Sequence, residues 1–159
     1  MEVEFDVKMT SGVLYDYMLH HNYSSFSGII GNVVGALMLV GALYLGNIIF
    51  LVAGLIVLLY VPWSLFLRSK QQMLRTEAFK QPLHYKMTED GIQVSQGDTV
   101  QSQPWDSMHK AVSTGKCIIV YTSPVNASIF PKKDMGEMMP KVIEMISVHM
   151  PPAKVKIRG

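Results

Sequence analysis

A chain of 159 residues with a net charge of +2 at pH 7 has room for one small domain beside any membrane segment, and its charge gives no case for a nucleic-acid partner. Its single cysteine excludes an internal disulfide and suits a reducing compartment. The 14 Lys and Arg and 12 Asp and Glu are unevenly spread, because none of them falls between Tyr17 and Leu67.

The first residues, Glu2-Val3-Glu4-Phe5-Asp6-Val7-Lys8, alternate strictly, which predicts a strand with one buried face. A lone strand is not stable, so it is expected to join a sheet built by later residues. Thr10 or Ser11 then offers a cap for a helix through Leu14, Tyr15, Met18 and Leu19. Residues 1–25 therefore read as a strand and a short helix.

An apolar block follows, broken only by Gly46-Asn47. A helix needs about 20 apolar residues to cross a hydrocarbon core of roughly 30 Å. The block holds two such lengths, 26–45 and 48–67, and is read as a transmembrane helical hairpin. The acidic start at Glu2, Glu4 and Asp6 is unlike the basic opening of a cleavable signal peptide. A soluble helix pair, apolar on all sides, would need a far larger domain to cover it. Arg68, Lys70, Arg75 and Lys80 follow the second span with only Glu77 opposing them, while the turn between spans is uncharged. Basic flanks favour the inner side, so both termini are expected in the cytoplasm of a two-span cell-membrane protein. Tyr44 and Trp63 fall near the span ends, where amphipathic rings prefer to sit, and Pro62 predicts a kink near the inner end. Ser27, Gly31 and Gly35, followed by Gly41 and Gly46, suggest close packing. Packing between the two spans of one chain is preferred to self-association, since a two-residue turn already holds them together. No charged side chain lies at bilayer depth, which argues against an ion pathway or coupled transport.

Residues 68–82 form a basic juxtamembrane connector, and 83–150 read as a small β domain. Leu83 to Thr88 alternates, Glu89-Asp90-Gly91 supplies a turn with Gly91 free to take a positive φ, and Ile92 to Ser95 resumes the alternation. Gly97-Asp98 makes the next turn into Thr99–Gln103, and Pro104-Trp105-Asp106-Ser107 reads as a corner. Further strands are expected at 108–112, 116–121 and 126–130, the second reading as a central strand from its near-continuous apolar run. The stripe Met138, Met139, Val142, Ile143, Met145, Ile146 and Met150 has helical spacing and predicts a final helix that starts near Pro140 and packs on the sheet. The tail, 151–159, is basic through Lys154, Lys156 and Arg158, and reads as a flexible segment able to lie on a membrane surface.

This layout, with Met87-Thr88-Glu89-Asp90-Gly91-Ile92, then Trp105, then Tyr121 and Ala127-Ser128-Ile129-Phe130-Pro131-Lys132-Lys133, resembles the YcxB-like family of small bacterial membrane proteins. The resemblance implies a C-terminal domain similar to pleckstrin-homology-like (PH-like) folds, in which a strongly bent sheet is closed by a helix. It implies no reaction. The expected fold class is thus an α+β membrane protein, with a two-helix hairpin inserted between an N-terminal strand and a small antiparallel PH-like β domain.

Chemistry is sparse. His20, His21, His84, His109 and His149 lack metal-ligand spacing, and no phosphate loop or nucleophile elbow is present, so no metal, cofactor or catalytic residue is expected. Cys117 falls in the apolar strand and reads as a small buried residue, and Glu89-Asp90 suits a turn. The residues that could touch a partner or an anionic lipid are Arg68, Lys70 and Arg75 beyond the second span, Lys132 and Lys133 before the last helix, and Trp105. The bland alternatives are topology setting for the arginines and Lys70, a solvated loop for the lysine pair, and a plug in the sheet core for Trp105. The expected function is a membrane-tethered interaction module that docks a protein partner or regulates a membrane complex. An anionic-lipid-responsive module comes second, and an enzyme or transport subunit third.

Overall fold

The computed structural model describes residues 2–157. Strand β1 (Val3–Val7) buries Val3, Phe5 and Val7 and exposes Glu4 and Asp6. It pairs antiparallel with β2 (Leu83–Met87), setting Phe5 opposite Tyr85 and Val3 opposite Met87. The isolated strand at the start of the chain thus finds its partner about 80 residues later, as the alternation required.

Helix α1 (Ser11–Tyr23) is capped by Thr10, whose hydroxyl accepts the Val13 N–H at 3.3 Å. Two long apolar helices follow, α2 (Phe26–Leu45) and α3 (Ile48–Arg75). Gly46 ends α2 in the left-handed region at φ 63°, and Asn47 caps α3 by accepting the Ile49 N–H at 2.9 Å. A two-residue turn therefore meets both capping needs, a left-handed C-terminal glycine and a polar N-terminal acceptor. Mean hydropathy reaches 2.0 and 2.5 over the most apolar windows of α2 and α3, and each is long enough to cross a membrane. Most of their side chains are exposed, Leu43 being 81% and Tyr44 89% so. Pro62 lies inside α3, which continues without interruption for 28 residues, so Arg68, Lys70 and Arg75 are helical.

The contact between α2 and α3 is built on glycines. A Cβ on Gly35 would stand 2.7 Å from Leu58 Cγ, and one on Gly54 would stand 2.9 Å from Leu39 Cδ2 and 3.1 Å from the Gly35 carbonyl oxygen. Gly31 and Gly41 face open space. The small-residue face read from the sequence is therefore only partly used within the hairpin, and Gly54 supplies the reciprocal contact.

The remaining strands are β3 (Gly91–Gln96), β4 (Thr99–Pro104), β5 (Lys110–Ser113), β6 (Cys117–Tyr121), β7 (Ala127–Pro131) and β8 (Val155–Lys156). They form two four-stranded sheets, β1-β2-β3-β4 and β7-β6-β5-β8, antiparallel throughout except for the β5–β8 pair. Phe5, Tyr85 and Phe130 meet between the sheets, with ring centroids 4.9 to 5.9 Å apart. Helix α5 (Met139–His149), with Pro140 in its first turn, adds Val142, Met145 and Ile146 to that core. The far face of the second sheet is covered as well, because Val13 and Leu14 of α1 and Met73 of α3 pack there against Ile119, Tyr121 and Ile129. All five residues of β6 are buried for this reason: Ile118 and Val120 face one core, and Cys117, Ile119 and Tyr121 the other.

Three expectations are corrected. Gly91 does not take a positive φ, which among the described glycines occurs only at Gly46, Gly97 and Gly136. Its glycine is required instead by close approach, since a Cβ there would lie 2.2 Å from the Gln103 carbonyl oxygen across β3 and β4. Lys132 and Lys133 are not in a loop, for they open a one-turn helix, α4 (Lys132–Met135). The tail is not free: a 3₁₀ turn at Pro152–Lys154 leads into β8, whose Val155 sits opposite Ala111 of β5. Arg158 lies outside the described residues.

The asymmetry among the glycines is testable. Gly54→Val in the full-length protein should lower stability in detergent by about 1–3 kcal/mol through overpacking, whereas Gly41→Val should leave it unchanged. Equal melting shifts for both would contradict the packing described.

Candidate functional site

Helix α3 carries Arg68, Lys70 and Arg75 past its apolar stretch. Arg68 and Arg75 are seven residues apart, so they share a helix face, and with Met18 and Gln72 they line a hollow of about 510 Å³. Lys70 points elsewhere, its ammonium lying 4.4 Å from the centre of the Phe66 ring. Lys132 and Lys133 sit beside Thr10, Gly12 and Lys116 around a separate hollow of about 440 Å³. Two bonds hold that corner: the Lys132 N–H donates to the Lys116 carbonyl at 2.8 Å, and the Lys8 N–H to the Asp134 carboxylate at 2.9 Å. The structure thus gathers the sequence-derived basic residues into two groups and leaves Lys70 apart.

Trp105 belongs to neither group. It is 6% exposed, donates its indole N–H to the Thr88 carbonyl at 2.9 Å, and stacks on His149 with centroids 5.1 Å apart. His149 in turn bonds the Glu89 carboxylate at 2.9 Å. The corner after β4 is pinned to the turn after β2 and to the end of α5 by one side chain, with little ring surface left for a partner.

A further cleft, of about 650 Å³, draws on residues that sequence reading did not group: His20, Ser24, His109, Lys110, Lys154 and Lys156. His20 comes from the last turns of α1, and Ser24 from the link two residues before α2. His109 and Lys110 open β5, while Lys154 and Lys156 are supplied by the C-terminal turn and β8. Lys154 Nζ donates to the Met108 carbonyl at 3.1 Å, and Lys110 Nζ lies 4.7 Å from the centre of the Tyr121 ring. Burial holds the His20 imidazole below its usual pKa, the nearby Lys110 charge lowers it further, and Asp16 partly opposes them. The Asp16 carboxylate is itself engaged by the Thr114 hydroxyl. Among the described residues, no carboxylate lines the cleft. The only local signal was the run of basic residues in 154–156; nothing in the order of the chain links it to residue 20 or to residues 109 and 110.

Cys117 is fully buried, and burial, with Asp16 next in effect, pushes its thiol up to about 12. That thiol stays protonated at neutral pH and is a poor nucleophile. Among the described residues, no three or more His, Cys, Asp or Glu side chains are grouped to hold a metal ion.

The fold and this basic cleft describe an α+β domain carried at the end of two long apolar helices. Residues 88–146 match the family described as YcxB-like protein, and the chain carries a YcxB-like domain over that range. No curated protein and no solved structure matches the chain. The match takes in β3 to β7, α4 and α5, and with them His109 and Lys110, but not the apolar helices, β1 or β8.

Two outcomes follow from these environments. Trp105→Ala should cost about 3–5 kcal/mol in denaturant unfolding of the full-length protein, and Trp105→Phe much less, near the ~1 kcal/mol of the lost hydrogen bond. Cys117 should react with a maleimide only as the protein unfolds; native labelling at the rate of a free thiol would contradict its burial.

Proposed function

We propose that α2 and α3 cross the bilayer as a hairpin and hold a PH-like unit on the cytoplasmic side, where it serves as a membrane-tethered interaction module docking a protein partner. The spanning reading is supported by the length and hydropathy of both helices and by their exposed apolar surface. The inward orientation is supported by the uncharged Gly46-Asn47 turn at one end and by Arg68, Lys70 and Arg75 at the other. The PH-like reading is supported by two four-stranded sheets around one core that α5 completes.

The observation that carries docking is β4. It ends the first sheet, and all six of its residues, Thr99–Pro104, are exposed. An edge strand presents a row of backbone donors and acceptors, and an extended segment of a partner can complete it. β4 has no lysine or other charge to repel such a segment, and Val100, 64% exposed, offers an apolar contact on it. Tethering raises the local concentration of membrane partners, so a weak edge contact suffices.

A second reading, an anionic-lipid-responsive module, is favoured by Arg68 and Arg75 on one face directly beyond the apolar stretch of α3. A basic side chain near an anionic surface gains about 1 kcal/mol.

In-cell crosslinking of full-length protein from native membranes, compared with the hairpin alone, tests docking. The expected result is a stoichiometric protein partner that is absent from the hairpin control and lost with Val100→Lys while the fold is retained. Recovery of only the chain itself and lipid overturns it.

A further inference from the structure

The cleft between α1, β5 and β8 unites two features that neither reading above uses. The first is its charge: Lys110, Lys154 and Lys156 line it with His20 and His109, and among the described residues no carboxylate does. Such a wall is suited to an anion that accepts several hydrogen bonds, and phosphate is the biological group that best fits that description. The lysines are not equally mobile. Lys154 is anchored through one N–H to the Met108 carbonyl, which leaves its other donors for a ligand, and Lys110 is steadied above the Tyr121 ring. The imidazole of His20, its pKa lowered chiefly by burial, has in its neutral form a donor on one nitrogen and an acceptor on the other, so it can meet a phosphate oxygen or a hydroxyl beside it.

The second feature is place. Ser24 lines the cleft and Phe26 begins the first apolar helix, so the cleft opens where that helix would leave the bilayer. A lipid headgroup reaches this position without leaving its leaflet. The titratable neighbours on α1 are Asp16 and His21, the former bonded to Thr114 and the latter near the Tyr121 hydroxyl. Neither lines the cleft.

We propose that this cleft binds a phosphate-bearing anion, supplied by the headgroup of an anionic phospholipid of the adjoining leaflet. The proposal rests on the membrane hairpin but is independent of the arginine face of α3 and of docking at β4. A headgroup held between β5 and β8 would also tie the C-terminal strand to the membrane, coupling the order of the domain to lipid composition.

The test titrates full-length protein in detergent with phosphatidylglycerol, phosphatidylcholine or inorganic phosphate, following retained ligand by native mass spectrometry and the His20 ring signals by NMR. Three versions are compared: the parent, a cleft variant (Lys110→Gln, Lys154→Gln, Lys156→Gln), and a face variant (Arg68→Gln, Arg75→Gln). Lys156→Gln alone, an exposed change, serves where the triple variant melts early. The expected result is retention of phosphatidylglycerol but not phosphatidylcholine, a His20 shift on binding, and affinity at least about tenfold weaker in the cleft variant than in the face variant. Cleft-dependent binding of inorganic phosphate without lipid retention keeps the anion site and assigns it to a soluble phosphate. Binding lost in the face variant but kept in the cleft variant overturns the cleft while leaving the lipid-responsive reading intact. No binding by the parent overturns both.

Discussion

The pairing of β1 with β2 is the constraint on which the rest depends. It joins residues 3–7 to residues 83–87 across the whole helix pair, with Phe5 stacked on Tyr85 and both rings against Phe130. Closing so long a loop costs conformational entropy, which grows only slowly with length and is offset here by burial of Val3, Phe5 and Val7. Once closed, the chain enters and leaves the apolar helices at one end, so the pair must be an up-and-down hairpin. The same closure brings α1 and the last turns of α3 against the second sheet, where Tyr15 meets Phe66 and Met73 reaches the outer core.

The second sheet therefore has no solvent face. One side packs on the first sheet and α5, the other on the base of the helices. What it leaves open is its β5 edge, closed only by the two residues of β8. The basic cleft lies at that edge because five elements converge there without filling the space: the end of α1, the link to α2, the start of β5, the C-terminal turn and β8. Its floor is apolar, formed by Val112, and its rim is cationic.

The range matched to the YcxB-like family spans most of the sheet core but stops short of β8 and starts after α3. The two long apolar helices thus lie outside the matched range, while Trp105, which holds the corner between the two sheets, lies inside it. Under the proposed reading, the helices supply location and the domain supplies contacts, at β4 on one side and at the cleft on the other.

Much of the fold was legible in the sequence because the signals are local. Alternation gave β1 to β3, the Gly46-Asn47 pair gave the helix turn, and the apolar spacing of Val142, Met145 and Ile146 gave α5. The near-continuous apolar run of β6 read as a central strand, and β6 does lie between β7 and β5. Local signals failed where a residue's role is set by a distant neighbour. Gly91 was read as a turn residue but is held by the Gln103 backbone, and the tail was read as free because two residues of β8 carry no periodicity. Arg68 and Lys70, close neighbours in sequence, were separated by helical twist, while His20, Lys110 and Lys154 were brought together across the chain. By itself, then, the sequence determined most of the strands, which helices are apolar all round, and most of the turns, since each rests on side chains within a few residues. Only the tertiary structure decided which charges share a surface, because that depends on strand pairing and helix packing between segments far apart in the chain.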